Sequence, residues 1–192
     1  MFRTFIAVEI SDATRDALKA AERAMGRLPG VRWSNLDTMH LTLKFLGDIE
    51  DSLVPGVFEV MREAVKGIAP FEFSVKGLGW FPPGRRPRVL WAGIENPEGS
   101  IETIAKRLDE GLAALGIAGD GKPYRPHVTL SRIRGPIDTD VVEEAFGRVG
   151  RGEFGREAVD EIVLFMSELN PSGAVHTRMG AVSLEEKHEE ES

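Results

Sequence analysis

The chain has 192 residues, 42% of them hydrophobic, and no cysteine. That length suits one compact domain, and the missing thiols exclude disulfides and cysteine nucleophiles and fit a reducing cytoplasm. The net charge of -7, of which -4 lies in the Glu-rich last eight residues from Glu185 to Ser192, excludes a basic coat for duplex nucleic acid.

Thr4 to Ile10 reads as a first strand, interrupted too soon by Glu9 for a signal peptide. Ser11-Asp12 offers an N-cap, and Ala13 to Leu28 carries helix formers at helical spacing, ended by Pro29-Gly30. Val31 to Trp33 and Met39 to Leu46 read as strands, with a turn at Gly47-Asp48. Ser52 to Lys66 is helical in pattern, and Pro55 is tolerable in its first turn. Phe71 to Val75 alternates as a strand, and the pattern runs on toward Trp80. Phe81 to Pro87 is a Pro/Gly/Arg loop, Arg88 to Ile94 a strand, and Ser100 to Leu115 a helix with Ser100 as cap. Gly116 to Pro126 is a loop, His127 to Ile133 a strand, and Asp138 to Val149 a helix. Val159 to Phe165 and Val175 to Val182 close the chain as strands joined by a turn at Asn170-Pro171-Ser172-Gly173. Interspersed strands and helices predict the mixed α/β (α+β) class.

One signature occurs twice, 87 positions apart: His40-Leu41-Thr42-Leu43 and His127-Val128-Thr129-Leu130. On a strand, residues two apart share a side, so each copy presents His and Thr together. Each copy is followed by a turn, a helix and a further strand, which predicts two similar lobes facing one cleft. A lone His-x-Thr means little; two copies at the same point of a repeated element order point to a shared site.

Two imidazoles and two hydroxyls suffice for metal-free phosphoryl chemistry. One imidazole takes a proton from water and the other gives one to the departing oxygen; an ordinary pKa of about 6.5 suits both tasks. The hydroxyls donate to the non-bridging oxygens. The Cys-x-x-Cys and His-Glu-x-x-His zinc patterns are absent. Gly116 to Pro123 nearly matches a phosphate-binding loop but ends in Pro123, which lacks the hydroxyl for magnesium and the backbone donor.

The segments Arg3-Thr4-Phe5-Ile6-Ala7-Val8, His40 to Gly47, Arg88-Val89-Leu90-Trp91-Ala92-Gly93, Pro126 to Leu130 and Ser167 to Gly173 resemble the RNA 2',3'-cyclic phosphodiesterases of the two-histidine phosphoesterase superfamily, also called 2'-5' RNA ligases. The resemblance implies a bilobal fold of two pseudo-symmetric sheet-plus-helix lobes with a central cleft. It implies hydrolysis of RNA 2',3'-cyclic phosphate ends to 2'-phosphate ends without metal or cofactor, with ligation as the reverse type of chemistry. It assigns His40 as proton donor, His127 as proton acceptor, and Thr42 and Thr129 as phosphate ligands. Where an aromatic is expected after the Pro-Ser-Gly turn, this chain has His176.

Lys44, Tyr124 and Arg132 are further substrate-binding candidates. Lys44 continues the His40-Thr42 alternation. Arg132 alternates away from His127 and reaches the site only if its strand bulges or its side chain curls over an edge. Tyr124 and Phe45 are rings that can stack on a base, although alternation puts Phe45 in the core. Trp33, Trp80 and Trp91 are expected in the core, and His188 in the exposed tail. Arg85, Arg86 and Arg88, then Lys122, Arg125, Arg132 and Arg134, read either as solvated loop charges or as a patch for one or a few phosphates. The expected organisation is a single bilobal domain over 1–184 and an acidic, disordered tail over 185–192, in a cytoplasmic monomer with RNA as partner, no protein partner and no membrane. Small cyclic nucleotides or ADP-ribose cyclic phosphate as substrate, and a non-catalytic RNA-end binding module, are the alternatives.

Overall fold

A computed structural model describes residues 2–84, 86–119, 121–170 and 173–185. Nine strands form one antiparallel sheet: β1 Phe2–Glu9, β2 Val31–Trp33, β3 His40–Ile49, β4 Phe71–Phe81, β5 Val89–Glu95, β6 His127–Ile133, β7 Glu153–Val159, β8 Glu161–Asn170 and β9 Gly173–Ser183. Its spatial order is β7-β4-β5-β6-β3-β1-β8-β9, with β2 on the free end of β6. Four α-helices, α1 Asp12–Met25, α2 Val54–Val65, α3 Ser100–Ala113 and α4 Thr139–Gly147, and two 3-10 turns, Leu36–Thr38 and Asp51–Leu53, complete the described elements.

All four helices cover one face. Leu18 and Met25 of α1, Met61 of α2, Leu108 and Leu112 of α3 and Val142 of α4 share one buried cluster with Ile6, Leu41, Leu90, Val128 and Leu164 of the sheet. Burial of this apolar surface is the main force holding the layers together. Among the described residues no helix covers the opposite face. Its small cluster of Phe5, Ala7, Val163 and Phe165 floors an open, curled surface.

Each half of the chain runs strand-helix-strand-helix-strand, as β1-α1-β3-α2-β4 and β5-α3-β6-α4-β7, with β2 as an insertion. The lobes are not the chain halves, however. β4, from the first half, pairs with β5, whereas β8, from the second, pairs with β1. The exchange ties both lobes into one sheet with β3 and β6 at its centre.

Several elements differ from the pattern reading, among them the strand expected over Val159 to Phe165: Val159 ends β7, and β8 runs from Glu161 to Asn170. Gly47 does not turn the chain: it sits at φ 74° beside a bulge opposite Thr4 and Phe5, and β3 runs on to Ile49. β7 escaped notice because it is an edge strand whose alternation is broken by a bulge opposite Val75 and Lys76. α1 stops at Met25, where Gly26 caps it at φ 74°, before Pro29 is reached. Asn170 pairs with Gly173 across the predicted turn, whose Pro171 and Ser172 lie outside the described residues. Of the predicted tail, Glu185 accepts a hydrogen bond from the Gly67 N–H at 3.1 Å, and 186–192, His188 among them, lie outside the described residues. Among the described residues no helix is long and apolar enough to cross a membrane.

Candidate active site

β3 and β6 meet at a single register pair, Leu41 opposite Val128, both fully buried on the helix side. Side chains alternate along a strand, so His40, Thr42, His127 and Thr129, which flank that pair, emerge on the open face. Antiparallel pairing about it sets His40 toward Thr129 and Thr42 toward His127. The two copies of the signature are thus related by a local twofold through Leu41 and Val128.

The histidines are anchored identically. Each ring donates from Nδ1 to the carbonyl two residues earlier, His40 to Thr38 at 2.8 Å and His127 to Arg125 at 2.7 Å. A carbonyl only accepts, so the proton of each neutral ring sits on Nδ1 and Nε2 keeps its lone pair. Burial pushes the His40 pKa down to about 4, with the nearby His176 and Arg15 adding to the fall and the Thr38 hydrogen bond opposing it. His127 is lowered too, first by burial and then by Arg132, against the Arg125 hydrogen bond. With no anion bound, both rings are therefore neutral at pH 7. The pattern reading expected the ordinary value for each, because burial is not visible in a motif. The hydroxyls of Thr42 and Thr129 have no partner among the described residues.

The two strands also bulge at the same place. Leu43 is the extra residue where β3 runs along β1, and Leu130 where β6 runs along β5. The burial sequence of seven residues from each histidine is consequently the same: half-buried, buried, half-buried, buried, buried, exposed, buried. Beyond the bulge the alternation is inverted.

This inversion corrects the reading of Lys44 and Phe45. Lys44 turns to the helix side, 3% exposed, where its Nζ donates to Asp109 of α3 at 2.6 Å and to the Ala118 carbonyl at 3.3 Å. Phe45, expected in the core, is 54% exposed on the open face, with its ring 6.0 Å from Phe5. The same inversion carries Arg132 to the His127 side, exposed and opposite Val89, with no carboxylate paired to it among the described residues. Arg178, opposite Phe165, is by contrast held by Glu9 at 3.0 Å and Glu161 at 2.7 Å. Tyr124 is not an open platform. Its ring packs on the main core and its hydroxyl donates to the Thr42 carbonyl at 2.8 Å, where the β3–β6 ladder has ended. Burial pushes that phenol's pKa up.

Rings surround both histidines. His40 stacks on Phe5 at 4.5 Å and 22°, and Phe5 stacks in turn on Phe165 at 5.3 Å. His176 stands edge-on to both, 5.4 Å from His40 and 4.9 Å from Phe5. A third imidazole therefore fills the place predicted for an aromatic, with its own pKa lowered by burial. On the other lobe Phe81 stands edge-on to His127 at 5.0 Å, with Trp91 at 6.5 Å. Trp33 and Trp80 pack against the core as expected, whereas Trp91 does not. Pattern reading missed Phe5, Phe81, Trp91 and His176 as site residues, although Phe5 and Trp91 lie within the segments that carry the resemblance.

Comparison with known proteins follows the same division of the chain. The profile of the LigT like Phosphoesterase family matches residues 8–91 and 94–176, one histidine signature in each segment. The chain is 33% identical over 178 residues to the RNA 2',3'-cyclic phosphodiesterase of Methanothermobacter thermautotrophicus, covering 92% of this chain and 96% of that protein. A crystal structure of a Thermus thermophilus protein superposes with a TM-score of 0.80 at 30% identity, covering 97% of this chain and 100% of that one. Escherichia coli LigT complexed with 3'-AMP shares the fold, with a TM-score of 0.78 at 20% identity over 95% of this chain and 98% of that one. With nearly the whole sequence matched and both signatures brought to one open face, the chain belongs to the LigT-like phosphoesterase family.

Proposed function

We propose that this protein hydrolyses the 2',3'-cyclic phosphate ends of RNA to 2'-phosphate ends. The observation that carries the proposal is the pair of Nδ1-anchored imidazoles related by the Leu41–Val128 twofold. Such a pair flanks one phosphorus from opposite sides, as in-line displacement requires. The M. thermautotrophicus relative bears the name of this activity.

In this reading water attacks phosphorus and passes its proton to His127 Nε2. The P–O3' bond breaks as His40 Nε2–H protonates the ribose oxygen, leaving the phosphate on O2'. The hydroxyls of Thr42 and Thr129 donate to the non-bridging oxygens, and Arg132 supplies positive charge beside them. Burial leaves His40 neutral in the free protein, so the phosphodiester anion itself must favour its protonated form. Exposed Phe45 is a surface for the base on the His40 side. The reaction needs acid, base and hydrogen-bond donors from this chain alone. RNA is the partner, acted on by a monomer.

The test is incubation of an oligoribonucleotide bearing a 2',3'-cyclic end, with and without EDTA, followed by product analysis. The expected product is the 2'-phosphate end in both samples. A 3'-phosphate product, or activity abolished by chelator, overturns the assignment of the bond broken or of the metal-free mechanism.

A further inference from the structure

β5 occupies one edge of β6, and β2 and β3 share the other. β3 takes that edge at Val128 and β2 takes it at Ser131 to Ile133, so Arg32 follows His40 along it. Arg32 lies directly opposite Arg132, and residues paired across two strands share a face. Both guanidinium groups therefore stand on the open face, in a row that continues through Val89 to Phe81.

β2 presents one residue to this face. It is three residues long, and its Val31 and Trp33 pack on the main core, leaving Arg32 as its single exposed side chain. Backbone bonds hold it at both ends: Arg134 N–H donates to the Gly30 carbonyl at 2.7 Å, and Ser34 N–H donates to the Leu130 carbonyl at 2.8 Å. The approach at Gly30 requires glycine, since φ is 70° there and a Cβ would fall 2.4 Å from the Arg134 carbonyl oxygen.

Like charges directly opposite each other on a sheet are destabilising. Neither Arg32 nor Arg132 is paired with a carboxylate among the described residues, although the chain holds 31 Asp and Glu against 24 Lys and Arg. An uncompensated pair of forked donors on one face suits an anion with several oxygens. β2 also has no counterpart in the other half among the described residues. It breaks the local twofold of the histidines and marks the His40 edge, the side on which the proposed mechanism places the departing ribose.

We propose that Arg32 and Arg132 hold a second phosphate, the one that links the 5'-oxygen of the cyclic-ended nucleotide to the rest of the RNA strand. The backbones of opposed residues are about 5 Å apart, a step that two long side chains span between adjacent phosphates. Arg132, with its five N–H donors, bridges the reacting phosphate and the second one, and Arg32 serves the second alone. The subsite favours the end of a strand over a lone cyclic nucleoside. This inference rests on the hydrolase reading and deepens it by setting the smallest good substrate.

The experiment compares three substrates that differ only on the 5' side: a nucleoside 2',3'-cyclic phosphate with a free 5'-hydroxyl, the same compound with a 5'-phosphate, and the dinucleotide. In the wild type the 5'-phosphate raises kcat/KM about tenfold, through KM, as one charge-assisted contact made equally in ground and transition states provides. Arg32→Met brings that ratio close to one, and Arg32→Lys recovers only part of it. The ratio is taken within each protein, so a partly unfolded variant cannot mimic the result. Equal kcat/KM for the two mononucleotides in the wild type overturns the inference, and so does a gain that only the dinucleotide shows, which belongs to the added nucleoside. A ratio that Arg32→Met leaves at the wild-type value overturns it too. If none of the three substrates is turned over, the hydrolase reading fails, and the subsite is judged by calorimetry on the wild type and Arg32→Met. Tighter binding of a nucleoside 2',5'-bisphosphate than of the 2'-phosphate, lost in the variant, then supports it, and equal affinity overturns it.

Discussion

Lys44 and Ser131 occupy the same place in the two lobes, each just past a bulge and each turned into the core. The next residues, Phe45 and Arg132, are thereby delivered to the open face beside the histidines. One backbone device, used twice, furnishes one lobe with a ring and the other with a guanidinium.

That device sets apart two cations that look alike in the sequence. Arg132→Met is expected to raise KM for a cyclic-ended RNA by tenfold or more, and Arg132→Lys to recover only part of the loss, since lysine lacks the planar fork. Lys44→Met changes thermal stability and leaves KM near the wild-type value, because its ammonium is spent on Asp109 and Ala118. Steady-state kinetics with a melting curve decides between them; a large KM change in Lys44→Met would contradict the geometry.

His40→Ala and His127→Ala should each lower kcat by about 10²–10⁴, the usual contribution of a positioned general acid or base. Circular dichroism should show the fold retained. Turnover within a few-fold of wild type in either variant would remove that residue from the mechanism.

The depressed histidines shape the pH profile. In the proposed mechanism the active form of the free protein has His40 protonated and His127 neutral. Activity in kcat/KM therefore falls as pH rises past the His40 value of about 4 and falls as pH drops below the lowered His127 value. The optimum of kcat/KM lies below about 6.5, whereas that of kcat lies higher, because bound phosphate anion raises both pKa values. A kcat/KM optimum above pH 7 contradicts the burial argument.

Stability follows from the same shift. Between about 4 and 6.5 the unfolded chain binds a proton at His40 that the folded chain does not, so stability rises with pH across that window and is lost on acidification. The loss attributable to His40 is on the order of 3 kcal/mol. Denaturant midpoints measured from pH 7 to pH 4 should fall less steeply in His40→Phe, which keeps the stacked ring and removes the titration.

Phe45→Ser should leave the melting temperature nearly unchanged, since the ring is 54% exposed, while raising KM for RNA about tenfold. A large drop in stability with unchanged KM would return Phe45 to a packing role.

Much of this site was legible before any fold was known. Alternation along a strand is local, so His40 with Thr42, and His127 with Thr129, share a side whatever the rest of the chain does. Helices and strands were placed to within a few residues wherever apolar periodicity was unbroken, as in α3 and β6. The edge strand β7 and the run of β3 through Gly47 were missed because bulges interrupt the period.

A bulge arises from the mismatch between one strand and its neighbour, so nothing in His40 to Phe45 read alone says that Lys44 turns inward and Phe45 outward. The exchange of β4 and β8 between lobes is likewise a matter of long-range pairing. The depressed histidine pKa values and the ring contact of Trp91 with His127 also depend on residues remote in the chain, because desolvation and ring contact are properties of packing. Residue order alone therefore specified which polar groups share the open face, through the short-range geometry of a strand. Which groups surround them, and with what charge, was left to contacts that form only when distant segments meet.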